Sequence, residues 1–160
     1  MAWPAWPKTN EKMLASYVLP QLAARLKLAQ SRDDVLARPN GRLELLSLIY
    51  DALIAKDLRY AREEYDPESE QQRIRDTELL LEGAGDATCL DLAVLLAGVC
   101  LGNELLPLVV VVRGHAFVAV SLTRDRRDAD DMARRDEDDG DGAWVTEGLL
   151  TDGDRLKDLV

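Results

Sequence analysis

The run Cys89-Leu-Asp-Leu-Ala-Val-Leu-Leu-Ala-Gly-Val-Cys100 constrains the fold more than any other feature of this 160-residue chain. It is apolar nearly all round, and a helix without a polar face has to be enclosed by its domain rather than laid on the surface. A polar turn, Gly83-Ala-Gly-Asp-Ala-Thr88, leads into it, and Gly102-Asn103 ends it. The pattern then changes. Leu105 to Val112 is apolar and β-branched, Arg113-Gly114 makes a tight turn, and His115-Ala-Phe-Val-Ala-Val-Ser-Leu122 follows as a second strand of a hairpin. With Trp144-Val-Thr-Glu147 read as a third strand, the expected fold class is α+β: N-terminal helices, and a buried helix packed on a small antiparallel sheet.

Upstream of that unit, Met13, Leu14, Tyr17, Val18, Leu22 and Leu26 recur at helical spacing over Glu11 to Gln30, with Pro20 expected to kink or split the helix near Leu19. Past the turn at Asn40-Gly41, the positions Leu43, Leu46, Ile49, Tyr50, Leu53 and Ile54 predict a second amphipathic helix ending near Ala55. Arg59 to Arg75 is polar and reads as a loop with at most a short helix. Asp76 is placed to cap a short helix through Leu81, because its carboxylate can accept free N–H groups. The head of the chain carries Trp3-Pro4 and Trp6-Pro7, a pattern best suited to a terminal segment pinned to its own domain by Trp. The organisation predicted is a helical segment over 1–66 and a core over 67–160. Within that core, 124–142 sets five arginines against nine acidic residues and reads as a solvated, mobile loop. Asp154 to Val160 reads as the start of a helix, without a clear cap or breaker after it. That end is expected to be a cut from a longer polypeptide.

Charge and composition narrow the function. The formal charge of −10 and the pI near 4.6 argue against a nucleic-acid binder, whose footprint would be basic. The longest apolar stretch, Leu105 to Val112, is far below the ~20 residues a membrane span needs. The head lacks the features of an export signal, and the two cysteines are expected as free thiols in a reducing, cytoplasmic setting. A single histidine, His115, excludes multi-histidine metal sites, and Cys89 with Cys100 is not a zinc-ligand spacing. Neither a phosphate-binding loop nor a Gly-x-Ser-x-Gly elbow is present.

What remains is one Cys, one His and a few carboxylates. Cys89 opens the buried helix, where free N–H groups and the helix dipole favour a thiolate; Cys100 lies eleven residues deeper without such help. His115 opens a strand directly after a Gly, and sequential elements tend to pack together. A nucleophile and base also need a third group to orient the imidazole, for which Glu147 is the natural candidate. The same Cys89 also suits a bland reading, as a small buried hydrophobe under the sheet.

Taken together, Gly85-Asp-Ala-Thr-Cys89-Leu-Asp91-Leu-Ala, then Gly114-His115-Ala-Phe-Val-Ala-Val, then Trp144-Val-Thr-Glu147 resemble the transglutaminase-like superfamily of papain-fold cysteine enzymes. The variant looks like the compact domains of large bacterial multidomain proteins, and the resemblance covers about Gln71 to Val160. It implies a papain-like core with Cys89 as nucleophile, His115 as general base and acid, and Glu147 as orienting acid. Asp91 resembles a structural acid near the helix start. Two departures stand out: the family generally has Asp at the third site, and the Cys-to-His interval of 26 residues is compact. The implied function is thiol-dependent acyl chemistry on protein or peptide amides, hydrolysis favoured over transglutamination. No metal or organic cofactor is implied. The expected partners are a protein or peptide substrate, basic or neutral in character, and further domains of a longer polypeptide. Papain-like folds also serve as inert binding modules, so the alternative is a non-catalytic interaction domain.

Overall fold

The computed structural model describes residues 5–8, 10–63, 68–83 and 85–125. The expected third strand with Trp144 and Glu147, the charged loop from 126 to 142 and the expected helical start at Asp154 lie outside the described residues. Among the described residues, helix α4, Cys89–Gly102, is the central element, enclosed as its nearly all-apolar sequence requires. Leu90, Asp91, Ala93, Val94, Leu95, Ala97, Gly98, Val99 and Cys100 are all buried. On one side it meets the hairpin of β5, Leu105–Val112, and β6, His115–Asp125, which pair antiparallel from Val112↔His115 to Leu106↔Ser121. Arg113 and Gly114 form the two-residue turn, with Gly114 at φ 78°, a left-handed conformation that suits glycine. Strand β6 extends three residues past Leu122, so Arg124 and Asp125, expected in the charged loop, are strand.

The opposite side of α4 is covered by the N-terminal half, and here the chain departs from expectation. Glu11 to Gln30 does not form a kinked α-helix but two 3₁₀ helices, Glu11–Tyr17 and Pro20–Arg25, closed by bonds such as Val18 N to Ala15 O (3.1 Å). Pro20 has no N–H to offer and restricts the residue before it, and Val18 and Leu19 are accordingly extended. The break is what lets α4 approach. A Cβ on Gly98 would lie 2.8 Å from the Leu19 carbonyl oxygen, and one on Gly102 would strike the Pro20 carbonyl oxygen and come within 2.6 Å of the Ala23 Cβ. Only glycine fits at these two crossings.

Helix α1, Arg32–Leu36, was not legible as an element; α2, Gly41–Ile54, falls where the second amphipathic helix was expected. Its buried stripe is Leu45, Ile49 and Leu53, whereas Leu43, Tyr50 and Ile54 are exposed. Four leucines within Leu43 to Leu48 left the helical phase undetermined, and packing on the core chose it. The polar stretch 59–75 carries two short strands, β2 at Arg59–Tyr60 and β3 at Gln71–Arg73. Strand β3 pairs antiparallel with β1, Ala5–Pro7, and β2 pairs parallel with β4, Asp86–Ala87. Trp6 in β1 is buried and donates its indole N–H to the Asn10 carbonyl at 2.9 Å, so the segment around Trp6 is pinned to its own domain, while Trp3 lies outside the described residues. Helix α3, Thr77–Leu81, is capped by Asp76, whose carboxylate accepts from Glu78 N and Leu79 N, as its sequence predicts.

Two apolar clusters make the core. One joins Leu22, Leu45, Ile49 and Leu53 to Leu81, Leu95, Val99 and Leu105. The other joins Trp6, Leu14 and Ile74 to Leu90, Ala93, Val94 and Ala116. Both draw on residues from either side of position 66, so the N-terminal helices pack on the α4 unit. The architecture is α+β with small sheets.

Candidate active site

Strand β4 delivers the chain to α4 through Thr88, and the junction is tightly bonded. The Thr88 hydroxyl accepts from Asp91 N (3.3 Å), while Asp91 Oδ2 accepts from Thr88 N (2.8 Å) and from the Thr88 hydroxyl (2.9 Å). This reciprocal capping box satisfies orphan N–H groups of the first turn. The next two amides are left over: among the described residues, those of Cys89 and Leu90 have no hydrogen-bond acceptor. Cys89 is therefore the first residue of a buried helix, itself half-buried and with a free thiol, beside two uncommitted N–H donors. Donors so placed can stabilise negative charge on sulfur or on an oxygen bound next to it.

The carboxylate that closes the box has no exposed surface and reaches further than a cap requires. Asp91 Oδ1 accepts from Arg75 N at 2.8 Å, and Oδ2 accepts from Arg75 Nη1, also at 2.8 Å. Arg75 bonds Glu63 through its other terminal nitrogen. Burial of the guanidinium works against its charge, but the bonds to Asp91 and Glu63 outweigh that and hold its pKa above the ordinary value. The sequence carries a sign of the Thr88–Asp91 half of this network, a Thr-x-x-Asp spacing at a helix start. Arg75 and Glu63 sit in a polar stretch with no such sign, and sequence reasoning missed them.

His115 lies at the start of β6, beside the hairpin turn, and its side chain is exposed. The next residue, Ala116, is buried in the same cluster as Leu90, Ala93 and Val94, on which Cys89 also packs. The structure thus brings Cys89 and the beginning of β6 to one end of the α4–hairpin contact. It does not bring the two side chains into a hydrogen bond. Residues alternate across a strand. Ala116 and Val118 face α4, and the His115 ring stacks with Phe117 on the other face, centroids 6.3 Å apart. Glu147 lies outside the described residues.

Cys100, three turns on, is fully buried, and burial pushes its thiol up to about 12. A cleft lined by Arg25, Leu26, Lys27, Ala52, Ala55 and Lys56 includes neither Cys89 nor His115. Among the described residues, no group of His, Cys, Asp and Glu is arranged to hold a metal ion, and no helix is long and apolar enough to cross a membrane. No family model, no curated protein and no solved structure matches the chain.

Proposed function

We propose that this chain carries thiol-dependent acyl chemistry on protein or peptide amides, with Cys89 as nucleophile, His115 as proton carrier, Glu147 as the acid that orients it, and hydrolysis as the outcome. The observation that supports this most is Cys89's position: a half-buried free thiol at the first turn of a buried helix, beside two unused amide donors. In this reading the imidazole takes the Cys89 proton and the thiolate attacks the amide carbonyl carbon. The amides of Cys89 and Leu90 receive the oxyanion, and the imidazolium returns its proton to the leaving nitrogen as the C–N bond breaks. Water, deprotonated by the same imidazole, then attacks the thioester, and the C–S bond breaks to restore the thiol. The resemblance to transglutaminase-like enzymes and a papain-like core belongs to the same proposal, as does a cytoplasmic setting.

One observation favours the second reading, an inert interaction module. His115 is exposed and stacked on Phe117, on the face of the hairpin turned away from α4. The deciding measurement is iodoacetamide alkylation of Cys89 as a function of pH, followed by peptide mapping in the full chain with and without His115→Ala. The enzyme reading expects Cys89 to outpace a free peptide thiol at neutral pH and to slow when His115 is removed. A Cys89 that behaves as an ordinary thiol, indifferent to His115, would leave the inert module as the function.

A further inference from the structure

We infer that Asp91 is the positioning residue for Cys89, holding the helix start in place through Thr88 and Arg75; the inference rests on the reading of Cys89 as nucleophile. A capping box needs one carboxylate–amide bond back to the cap residue, and an exposed carboxylate serves. A carboxylate that is the cap residue itself can stay exposed too: Asp76, before α3, accepts only from Glu78 N and Leu79 N of its own turn. Asp91 is different in three respects. Its carboxylate has no exposed surface, a costly state for a charge unless every oxygen is matched by donors. It accepts hydrogen bonds from the Thr88 amide and hydroxyl and from the Arg75 amide and guanidinium. The donors also come from two separate segments: Thr88 adjoins Cys89, and Arg75 follows β3 and the fully buried Ile74.

The consequence falls on Cys89 and Leu90, the two residues between Thr88 and Asp91. Cys89 is bracketed by Thr88 and Asp91, which are bonded to each other in both directions, so its backbone has little freedom to rotate. Arg75 ties that bracket to the β1–β3 ribbon, and Glu63 holds Arg75 from its outer side. Among the described residues, the charged groups bonded together at this turn are Asp91, Arg75 and Glu63. With the bracket intact, the backbone that carries the free amides of Cys89 and Leu90 and the Cys89 side chain keeps its place at the helix start. With it broken, the first turn frays and the sulfur loses the local field of the helix end, which acts only within that turn.

The test extends the alkylation profile to Asp91→Asn and Thr88→Val in the full chain, with folding checked by circular dichroism. The first substitution turns an amide N–H toward existing donors. The second keeps the shape of threonine and removes the hydroxyl alone. The expected result is that Cys89 alkylation at neutral pH, relative to its plateau in alkali, falls about three- to fivefold in Asp91→Asn and less in Thr88→Val. Thr88→Ser, which restores the hydroxyl, recovers the parent profile. A loss of fold strength alone would lower the melting temperature without moving this ratio. If the parent Cys89 responds to His115 but folded Asp91→Asn keeps the parent profile, the positioning role is overturned and the nucleophile reading survives. If Asp91→Asn does not fold, an unchanged profile in Thr88→Val overturns it equally. A parent profile indifferent to His115 removes both.

Discussion

Cys89 and Cys100 sit on the same helix, but the turn around the first is fixed by polar bonds and the turns around the second by close apolar contact. At the first turn, a buried carboxylate gathers donors from Thr88 and Arg75 and leaves the thiol half-open. At the other end, Gly98 and Gly102 let the backbone of Leu19 and Pro20 press against the helix, and Cys100 is sealed with Leu95 and Val99. The same side chain is therefore half-buried beside free amides in one place and serves as a small hydrophobe in the other. The contrast is broken most directly by reactivity. With its thiol pushed to about 12 by burial, Cys100 in the folded protein should alkylate at neutral pH at least about a thousandfold more slowly than an ordinary thiol near ~8.5. Peptide mapping after iodoacetamide, in native buffer and in denaturant, checks this; comparable rates in the two would mean that this end of the helix is not sealed.

The next effect concerns why the Cys100 end is sealed. Gly102→Ala sets two opposed terms against each other. Helix propensity favours Ala over Gly by about 1 kcal/mol. The added methyl strikes the Pro20 carbonyl oxygen and the Ala23 Cβ, and overpacking of this kind costs about 1–3 kcal/mol. The clash should win because its first partner is backbone, which cannot rotate away as a side chain can. The expected net is a destabilisation of up to about 2 kcal/mol in a denaturant titration, with the Cys89 alkylation profile unchanged. A stabilised variant would show that the Leu19–Pro20 segment gives way, and that the two ends of α4 are less different than they look.

How far these features were legible follows from their physics. The enclosure of α4, the hairpin and its turn at Gly114, and the Asp76 cap each rest on a local signal: an apolar run, a β-branched run with a glycine, a carboxylate before a helix. The 3₁₀ character of 11–25 does not, because the apolar spacing of an α-helix and of two shorter 3₁₀ pieces is nearly the same. The buried stripe of α2 was hidden by its excess of leucines. At the candidate site, Cys89's place at the helix start could be read from the Gly-rich turn before it. Arg75 could not, since its link to Asp91 spans sixteen residues and depends on how β3 is placed. The His115 ring's direction was likewise beyond reach: a strand's alternation is visible in sequence, but which set of residues faces α4 is set by tertiary packing.

A pH-graded effect, absent below ~8.5, lies in alkali and isolates the Cys100 end. An unfolded Cys100 loses its proton near ~8.5, whereas the folded one holds it to about 12. Between those values the native state binds more protons than the unfolded state, so stability falls as pH rises, by at most about 1.4 kcal/mol per pH unit from this group. Below ~8.5 both states carry the proton and the group contributes no pH dependence. Lysines and tyrosines titrate in the same window, so the quantity to compare is the difference in slope between the native chain and Cys100→Ala, measured by urea titrations from neutral pH upward. Loss of the sulfur shifts the whole curve of the variant, but a uniform shift carries no slope. The native chain should lose stability faster above ~8.5, and the two curves should run parallel below it. Parallel curves throughout would mean that the folded protein lets Cys100 ionise, and that the buried end of α4 opens to water as readily as the end that holds Cys89.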